Sequence, residues 1–278
     1  MKYFLLFTIT QAFNWINLAN EKPETICQSE TLSPGQQRLC SRTKIGEILP
    51  EAIKRTISSC KETMTDKRWN CNHLRRSSRE SAYLEALSTA QLIRTAEHKC
   101  LEGNCGAFTH VRELIELEPM SKLKRAIRKH NIQVGIGSIK RNTKCRCHGQ
   151  SGACTAQTCW DQSEDVAVTL KKKYESAVQI EKKDDPIQIP AELALLTPHF
   201  KNRLLYSRND DDFCRLTRGR KCQLEKMNGS HCSKMCCGRG FVTKETKTKR
   251  PDQCTFQWPN RIDCETSKTV TVINHVCI

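Results

Sequence analysis

The stretch CRCHGQSGACTAQTCW (145–160) sets Cys145, Cys147, Cys154 and Cys159 symmetrically around Ser151. If Cys147 bonds Cys154 and Cys145 bonds Cys159, two nested staples close a hairpin with Ser151 near its tip. Closing an inner loop of about eight residues in this way stabilises it by roughly 2–3 kcal/mol. Gly149 and Gly152 tolerate positive φ and leave the hydroxyl unobstructed. Such a loop holds a serine out for another protein or for a modifying enzyme. A rigid turn without special use is the plainer reading of the same geometry.

Two other chemistries compete for these residues. Cys145, Cys147, His148, Cys154 and Cys159 lie close enough to suggest zinc, but structural zinc sites favour Cys-x2–4-Cys pairs over Cys-x-Cys. His148 then reads as an ordinary loop residue or as a hydrogen-bond donor behind such a site, and no metal site is expected. Gly149-Gln150-Ser151-Gly152-Ala153 has the wrong spacing for the G-x-S-x-G elbow of a serine hydrolase. It also lacks the strand-before, helix-after pattern that strains such a serine. No catalytic residue is assigned.

The compartment decides what the cysteines do. MKYFLLFTITQAFNWINLAN opens with Lys2 and then runs apolar from Tyr3 through Ile9 to Leu18. Charge followed by a short hydrophobic core is the pattern of a secretory signal peptide. Residues 1–19 are read as that segment, with cleavage near Ala19. No later run reaches the length of about eighteen apolar residues that a membrane span needs. The chain of 278 residues carries 18 cysteines, an even number. In an oxidising compartment that composition reads as a disulfide framework.

The charge points the same way. Removing residues 1–19 takes away only Lys2 and lowers the formal charge from +16 to +15. A surface this basic attracts polyanions, which outside the cell are sulfated glycosaminoglycans and not nucleic acid. Stacking aromatics are also scarce, at 6%. From Met120 to Gly149 nine basic residues occur without an acid: Lys122, Lys124, Arg125, Arg128, Lys129, Lys140, Arg141, Lys144 and Arg146. This run is either a solvated face or a heparan-sulfate or headgroup patch. Asn228-Gly229-Ser230 is an N-glycosylation sequon between two cysteines, expected to be exposed.

Hydrophobic periodicity divides the chain. Tyr83, Leu87 and Ala90 align with Ala82, Ala86 and Ile93 beside them, which predicts a central helix over Ser81–Lys99 packed on more than one side. Ser41–Ser58 is helical in period, with Pro50 implying a kink or two pieces. Val111, Leu114 and Ile115, then Leu123, Ala126 and Ile127, predict two short helices around Pro119. Val166, Leu170, Tyr174 and Ala177 predict another amphipathic helix. EKKDDPIQIP (181–190) begins a charged, proline-containing linker. Residues 214–278 then hold eight cysteines, and a segment so small relies on disulfides in place of a large core. Short strands are expected at Cys254–Trp258 and Lys268–Val276, in hairpins and without helices.

These residues together resemble the Wnt family of secreted signalling glycoproteins. The resemblance rests on CRCHGQSGACTAQTCW (145–160), RWNC (68–71), LLYSRNDDDFC (204–214), RGRKC (218–222), HCSKMCCGRGF (231–241) and CTFQW (254–258). It implies a two-domain fold. Residues 20–180 would form an α-helical N-terminal domain with a disulfide-stapled thumb hairpin at 145–159. Residues 181–203 would be the linker, and 204–278 a small cysteine-rich β-hairpin domain. The implied disulfides are Cys27–Cys40, Cys60–Cys71, Cys100–Cys105, Cys145–Cys159, Cys147–Cys154, Cys214–Cys237, Cys222–Cys232, Cys236–Cys277 and Cys254–Cys264.

The resemblance also implies a function. Family members are developmental ligands of the Frizzled cysteine-rich domain and of an LDL-receptor-related co-receptor. Their thumb serine, here Ser151, is esterified with a palmitoleoyl chain by the acyltransferase Porcupine, and a shuttle carries the lipidated ligand outward. Apart from that covalent lipid no cofactor is expected, and no enzymatic activity. The expected place is the extracellular space and matrix, held to membranes through the lipid. A second receptor contact, the finger, would lie near Phe256, Trp258, Pro259 and Asn260. The alternative function is a basic heparan-sulfate-binding protein or a non-signalling antagonist.

Several family cysteines are replaced here. An adjacent pair falls at Pro259 and Asn260, another pair at Asp252 and Ser267, and one position at Ala107, whose partner is missing together with its tryptophan-rich segment. Each loss removes both ends of one bond. The segment from Cys105 to Cys145 is also much shorter than the family pattern.

Overall fold

The computed structural model describes residues 18, 21–30, 32–71, 77–103, 122–140, 143–149, 154–161, 165–180, 200, 202–208, 212–225, 228–257 and 261–278. The chain forms two compact units, Met1–Met64 with Cys71–Asp210, and Thr65–Asn70 with Asp211–Ile278.

The first unit is helical. After a single turn, α1 (Pro23–Ile26), helix α2 (Pro34–Arg42) starts at a capping box. Ser33 accepts from the Gln36 N–H while the Gln36 side chain accepts from the Ser33 N–H, with Pro34 in the first turn. These pairings satisfy N–H groups that a helix start otherwise leaves open. Helix α3 (Ile45–Thr63) buries Ile45, Ile48, Leu49, Ala52 and Ile53 along one stripe. Pro50 lies inside this one continuous helix and does not split it, contrary to one of the two expected outcomes. It sits in the second turn, where the missing N–H removes a single main-chain bond.

Helix α4 (Arg79–Leu101) starts where Ser78 accepts from the Ser81 N–H, and it buries residues on most of its circumference, from Ala82, Tyr83 and Leu84 through Ala96. A wide apolar arc of this kind belongs to a helix surrounded by others. Helices α5 (Lys122–Ile136) and α6 (Val166–Glu175) complete the described bundle, the latter capped by Asp165 and burying Val166, Leu170 and Tyr174. The expected segment around Val111 lies outside the described residues.

Leu18 is fully buried with Ile26, Ile45, Ile48 and Leu49 in the core of this unit. Residues 1–17, 19 and 20, which make up the rest of the expected 1–19 leader and its cleavage region, lie outside the described residues.

Polar side chains also tie the elements together. Asn131 is buried, and its amide donates to the Leu205 carbonyl (3.0 Å) and the Glu85 carboxylate (3.1 Å) while accepting from the Leu205 N–H (2.9 Å). Donors and acceptor of that amide are thereby all engaged, as burial requires. The hairpin of β1 (Thr143–His148) and β2 (Ala156–Asp161) belongs to this unit. Strands β3 (Val178–Gln179) and β4 (Leu205–Tyr206) pair in parallel. Because β4 is hydrogen-bonded to β3, Leu204–Tyr206 belong to the first unit. The division therefore falls after Asp210, not at the expected 203/204 boundary. Of the expected linker 181–203, residues 181–199 and 201 lie outside the described residues.

The second unit is a three-stranded sheet in which β5 (Lys221–Cys222) pairs with the last strand, β7 (Arg261–Cys277), and that strand with β6 (Phe241–Gln257). Strands β6 (Phe241–Gln257) and β7 (Arg261–Cys277) run antiparallel over 17 residues each. The two short expected stretches are thus parts of one long ribbon. A one-turn helix, α7 (Cys232–Met235), and a 3-10 turn at Cys214–Thr217 correct the expectation of hairpins alone. The buried cluster here is Cys222, Cys232, Met235, Cys236 and Cys277, so disulfide sulfur takes the place of an aliphatic core.

Arg220 closes the turn at Thr65–Asn70 onto this unit. Its guanidinium donates to the carbonyls of Lys67 (3.1 Å), Trp69 (3.3 Å), Arg68 (3.4 Å) and Thr65 (3.5 Å). Arg68 in turn donates to the Lys234 carbonyl at 2.9 Å. Loss of charged donors to several carbonyls costs about 1–2 kcal/mol at a half-buried position. Arg220→Ala should lower the thermal midpoint and open the 65–70 turn to proteolysis. Arg220→Lys should rescue little, since an ammonium cannot span the fork. Wild-type protease resistance in both variants would contradict the clamp.

Candidate functional site

The first site is built on the β1–β2 hairpin. Its register sets Cys145 opposite Cys159, Arg146 opposite Thr158, Cys147 opposite Gln157 and His148 opposite Ala156. The Cys145–Cys159 disulfide bridges the directly opposed pair, with Cα atoms 4.0 Å apart. Cys147–Cys154 closes the next span at 4.7 Å, its second cysteine lying before the start of β2. His148 bonds Thr158 Oγ1 through Nε2 at 2.9 Å, and the Thr155 hydroxyl donates to the His148 carbonyl at 2.9 Å.

Side chains 144–149 and 154–159 are all exposed. A two-stranded hairpin is marginal in water by itself. With those described side chains exposed, the two disulfides reinforce this one. They also occupy the four sulfurs that a zinc ion would need. His148 is a strand residue hydrogen-bonded to Thr158, and Gly149 is exposed at the end of β1. Gln150, Ser151, Gly152 and Ala153 lie outside the described residues.

The second site is the far end of the β6–β7 ribbon. Cys254 and Cys264 face each other and are bonded, Cα to Cα 4.0 Å. Two residues further, Phe256 faces Ile262, and both are exposed, at 65% and 67%. The two apolar side chains thus stand exposed and opposite each other two residues from the disulfide. Trp258, Pro259 and Asn260 lie outside the described residues. Ile262 escaped the sequence reading. Counting two residues outward from each bonded cysteine would have found it, since side chains alternate and facing residues share a side. Asp252 faces Thr266 and Ser267 faces Pro251, so Asp252 and Ser267 are one residue out of register. Gln253, next to Asp252, has a left-handed backbone (φ 51°).

The remaining described disulfides are Cys27–Cys40, Cys60–Cys71, Cys214–Cys237, Cys222–Cys232 and Cys236–Cys277. Cys100 is also disulfide-bonded, while Cys105 lies outside the described residues. Asn228 is exposed, and its side-chain carbonyl accepts from the Ser230 N–H (2.9 Å) and hydroxyl (2.5 Å). A Cβ on Gly229 would overlap the Asp66 carbonyl oxygen, so the middle of this sequon requires glycine.

The basic run is not one surface. Lys124, Arg125 and Lys129 are exposed on α5, Lys140 follows that helix, and Lys144 and Arg146 are exposed on β1. Arg128, however, is only 6% exposed and its charge acts on Glu85. A cation drawn inward to a carboxylate does not serve a surface patch. The side chain of Lys122 and the whole of Arg141 lie outside the described residues.

Burial raises the Glu85 carboxyl above its ordinary value of 4.5, opposed by the Arg128 charge and the Asn131 hydrogen bond. A carboxyl with a raised folded pKa favours the folded state below its unfolded range. That contribution is lost as pH rises through the raised value. Glu85→Gln should therefore lose less stability than wild type over the interval that begins at the ordinary value of 4.5 and runs upward in pH. Thermal midpoints measured across that interval check the sign, and parallel curves would refute it.

The wnt family model matches residues 28–113 and 106–278. Its two pieces meet in the segment after Cys105 that is short here. Protein Wnt-9a of Gallus gallus is 28% identical over 296 residues, covering 86% of this chain and 82% of that protein. Protein Wnt-11 of Gallus gallus is 27% identical over 320 residues, covering 94% and 90%. Protein Wnt-2 of Caenorhabditis elegans is 26% identical over 325 residues, covering 92% and 89%. All three alignments are longer than this chain of 278 residues, so those relatives carry residues without a counterpart here.

Among solved structures, a chain of the human WLS complex with WNT8A matches with a TM-score of 0.60 at 21% identity, covering 96% of this chain and 100% of that one. That likeness is one of fold, a helical first unit with a cysteine-rich β second unit. With the family model spanning nearly all of it, the chain belongs to the Wnt family.

Proposed function

We propose that this chain is a secreted, lipid-modified ligand that engages the cysteine-rich domain of Frizzled-type receptors in developmental signalling, and that it is not an enzyme. The observation that carries this reading is the exposed β1–β2 hairpin with its bonds at Cys145–Cys159 and Cys147–Cys154. A hairpin whose described side chains are exposed and which is stapled twice is built to present the residues joining its strands. Ser151, in that connection, is the acyl acceptor, modified by a Porcupine-type acyltransferase. Phe256 and Ile262, with Trp258, Pro259 and Asn260, form a second contact toward the receptor. An LDL-receptor-related protein completes the receptor complex.

A shuttle for the lipidated ligand is supported by the fold likeness to a chain of the WLS–WNT8A complex. Among the described residues no helix is long and apolar enough to cross a membrane, so membrane association would depend on the lipid. The exposed Lys124, Arg125, Lys129, Lys144 and Arg146 suit heparan sulfate proteoglycans of the matrix. Nucleic acid is not a partner of a secreted chain of this kind.

The decisive measurement is mass spectrometry of the Cys145–Cys159 peptide from protein secreted by cells that contain the acyltransferase. A monounsaturated sixteen-carbon acyl mass on Ser151 is expected, and its absence would sink the assignment. Heparin retention without receptor activation would favour the matrix-binding alternative. Asn228 should carry one N-glycan. Glycosidase treatment should increase gel mobility of the wild type and leave Asn228→Gln unshifted, and an equal shift in both would place the glycan elsewhere.

A further inference from the structure

Two disulfides of the second unit lie side by side. Cys222 of β5 bonds Cys232 at the start of α7, and Cys236, just past that helix, bonds Cys277 at the end of β7. Cys232 and Cys236 are one helical turn apart on the same face. The Cys236 N–H donates to the Cys232 carbonyl at 2.9 Å. Cys222 and Cys277 sit on neighbouring strands, β5 being paired with β7. The fold thus sets two cysteines of a helical turn against two cysteines of adjacent strands.

The sulfurs of Cys222 and Cys236, which are not bonded to each other, are 3.7 Å apart. Cys222, Cys236 and Cys277 all lie within 4.8 Å of one another. No other such group of three occurs among the described residues.

We infer that these four cysteines form a thiol–disulfide exchange centre, in which an external thiol converts the Cys222–Cys232 and Cys236–Cys277 pairs into a Cys222–Cys236 bond with Cys277 released. The co-reactant is a small thiol or a thiol oxidoreductase of the secretory or extracellular space, acting as its thiolate. It attacks Cys232 Sγ, forms a mixed disulfide there, and the electron pair of the broken bond leaves on Cys222 Sγ. The Cys222 thiolate then attacks Cys236 Sγ, 3.7 Å away. The Cys222–Cys236 bond forms, the Cys236–Cys277 bond breaks, and Cys277 departs as the thiolate. The second step is neutral in oxidation state and needs no further reagent.

Its product differs from simple reduction because the freed sulfur belongs to a disulfide that the external thiol never touched. Cys236–Cys277 spans 41 residues, the longest separation among the described disulfides, and it anchors the end of β7. Its opening would loosen the base of the ribbon that carries Phe256 and Ile262. Burial of all four cysteines keeps the centre closed until the β5–α7 region opens. A purely structural role, sulfur packed as core, accounts for the burial and the proximity but predicts no crossed product.

The test uses the full secreted protein, treated for increasing times with millimolar reduced glutathione and quenched with N-ethylmaleimide. Disulfide-linked peptides are then mapped by mass spectrometry. A Cys222–Cys236 linked peptide is expected to appear together with glutathione on Cys232 and N-ethylmaleimide on Cys277. Alkylated Cys222 beside an intact Cys236–Cys277 bond would overturn the proposal. In the Cys222→Ser, Cys232→Ser double variant, labelling of Cys277 should slow at least tenfold, and unchanged labelling would also overturn it. If that variant is not secreted, the wild-type time course decides alone.

Discussion

Replacing Ser151 with alanine should reduce Frizzled-dependent reporter activity to background, with the disulfide map of the protein unchanged. A palmitoleoyl chain offers about fourteen methylene-like groups, worth up to roughly 11 kcal/mol if all are buried. Ordering and association costs consume much of that. Even ~4 kcal/mol retained in the complex corresponds to about a thousandfold in affinity, so loss of the acceptor should abolish measurable binding. The fold should not suffer, since side chains 144–149 and 154–159 of the hairpin are exposed and it is held by Cys145–Cys159 and Cys147–Cys154. Ser151→Thr keeps a hydroxyl and serves as the partial-rescue control. Full activity of the alanine variant at equal secreted concentration would remove the lipid from the mechanism.

The second large effect is on stability. Gly135, in α5, lies so close to α4 that a Cβ would overlap the Ala86 carbonyl oxygen and fall 2.9 Å from its carbonyl carbon. Neither atom is the end of a flexible side chain, so one helix must move away from the other. Overpacking against backbone costs about 3 kcal/mol. For a unit of this size that lowers the thermal midpoint by about 6–12 °C. Gly135→Ala should therefore lower the secreted yield and the midpoint together. Gly137→Ala is the control, because its nearest contact is the Gln133 carbonyl at 3.3 Å within the same segment. Similar midpoints for the two variants would contradict the close crossing.

Much of this was legible in the sequence, for identifiable reasons. Leu87 and its neighbours announced a helix with apolar residues on most sides, and α4 is buried on most of its surface. Val166, Leu170 and Tyr174 announced one face of α6, and all three are buried. Periodicity is a property of one segment, and each segment here agrees with its surroundings. Strand length was less legible. Short strands were expected only at Cys254–Trp258 and Lys268–Val276, yet β6 runs from Phe241 to Gln257, because pairing with β7 overrides a weak local preference.

The candidate sites divide in the same way. Cysteine spacing around residue 151 pointed to a stapled hairpin before any pairing was known, and Phe256 was visible as an apolar residue beside Cys254. Ile262 was not, since its role depends on the register that puts it opposite Phe256. Arg128 looked like one more surface cation. Its inward position follows from the approach of α5 to Glu85 on α4, which nothing in residues 122–146 reports.

The sequence by itself determined the class of this protein: a cysteine-rich, basic chain with a leader-like N-terminus, helical segments followed by a disulfide-held β region, and the ordered motifs of the Wnt family. Those properties are local, written in composition, period and spacing. Only the tertiary structure decided that Leu18 belongs to the core, that Arg220 draws residues 65–70 into the second unit, and that Cys222 lies against Cys236. Each of those facts is a choice of partner across a long stretch of chain, made by the packing of whole elements, and no spacing within one segment can encode it.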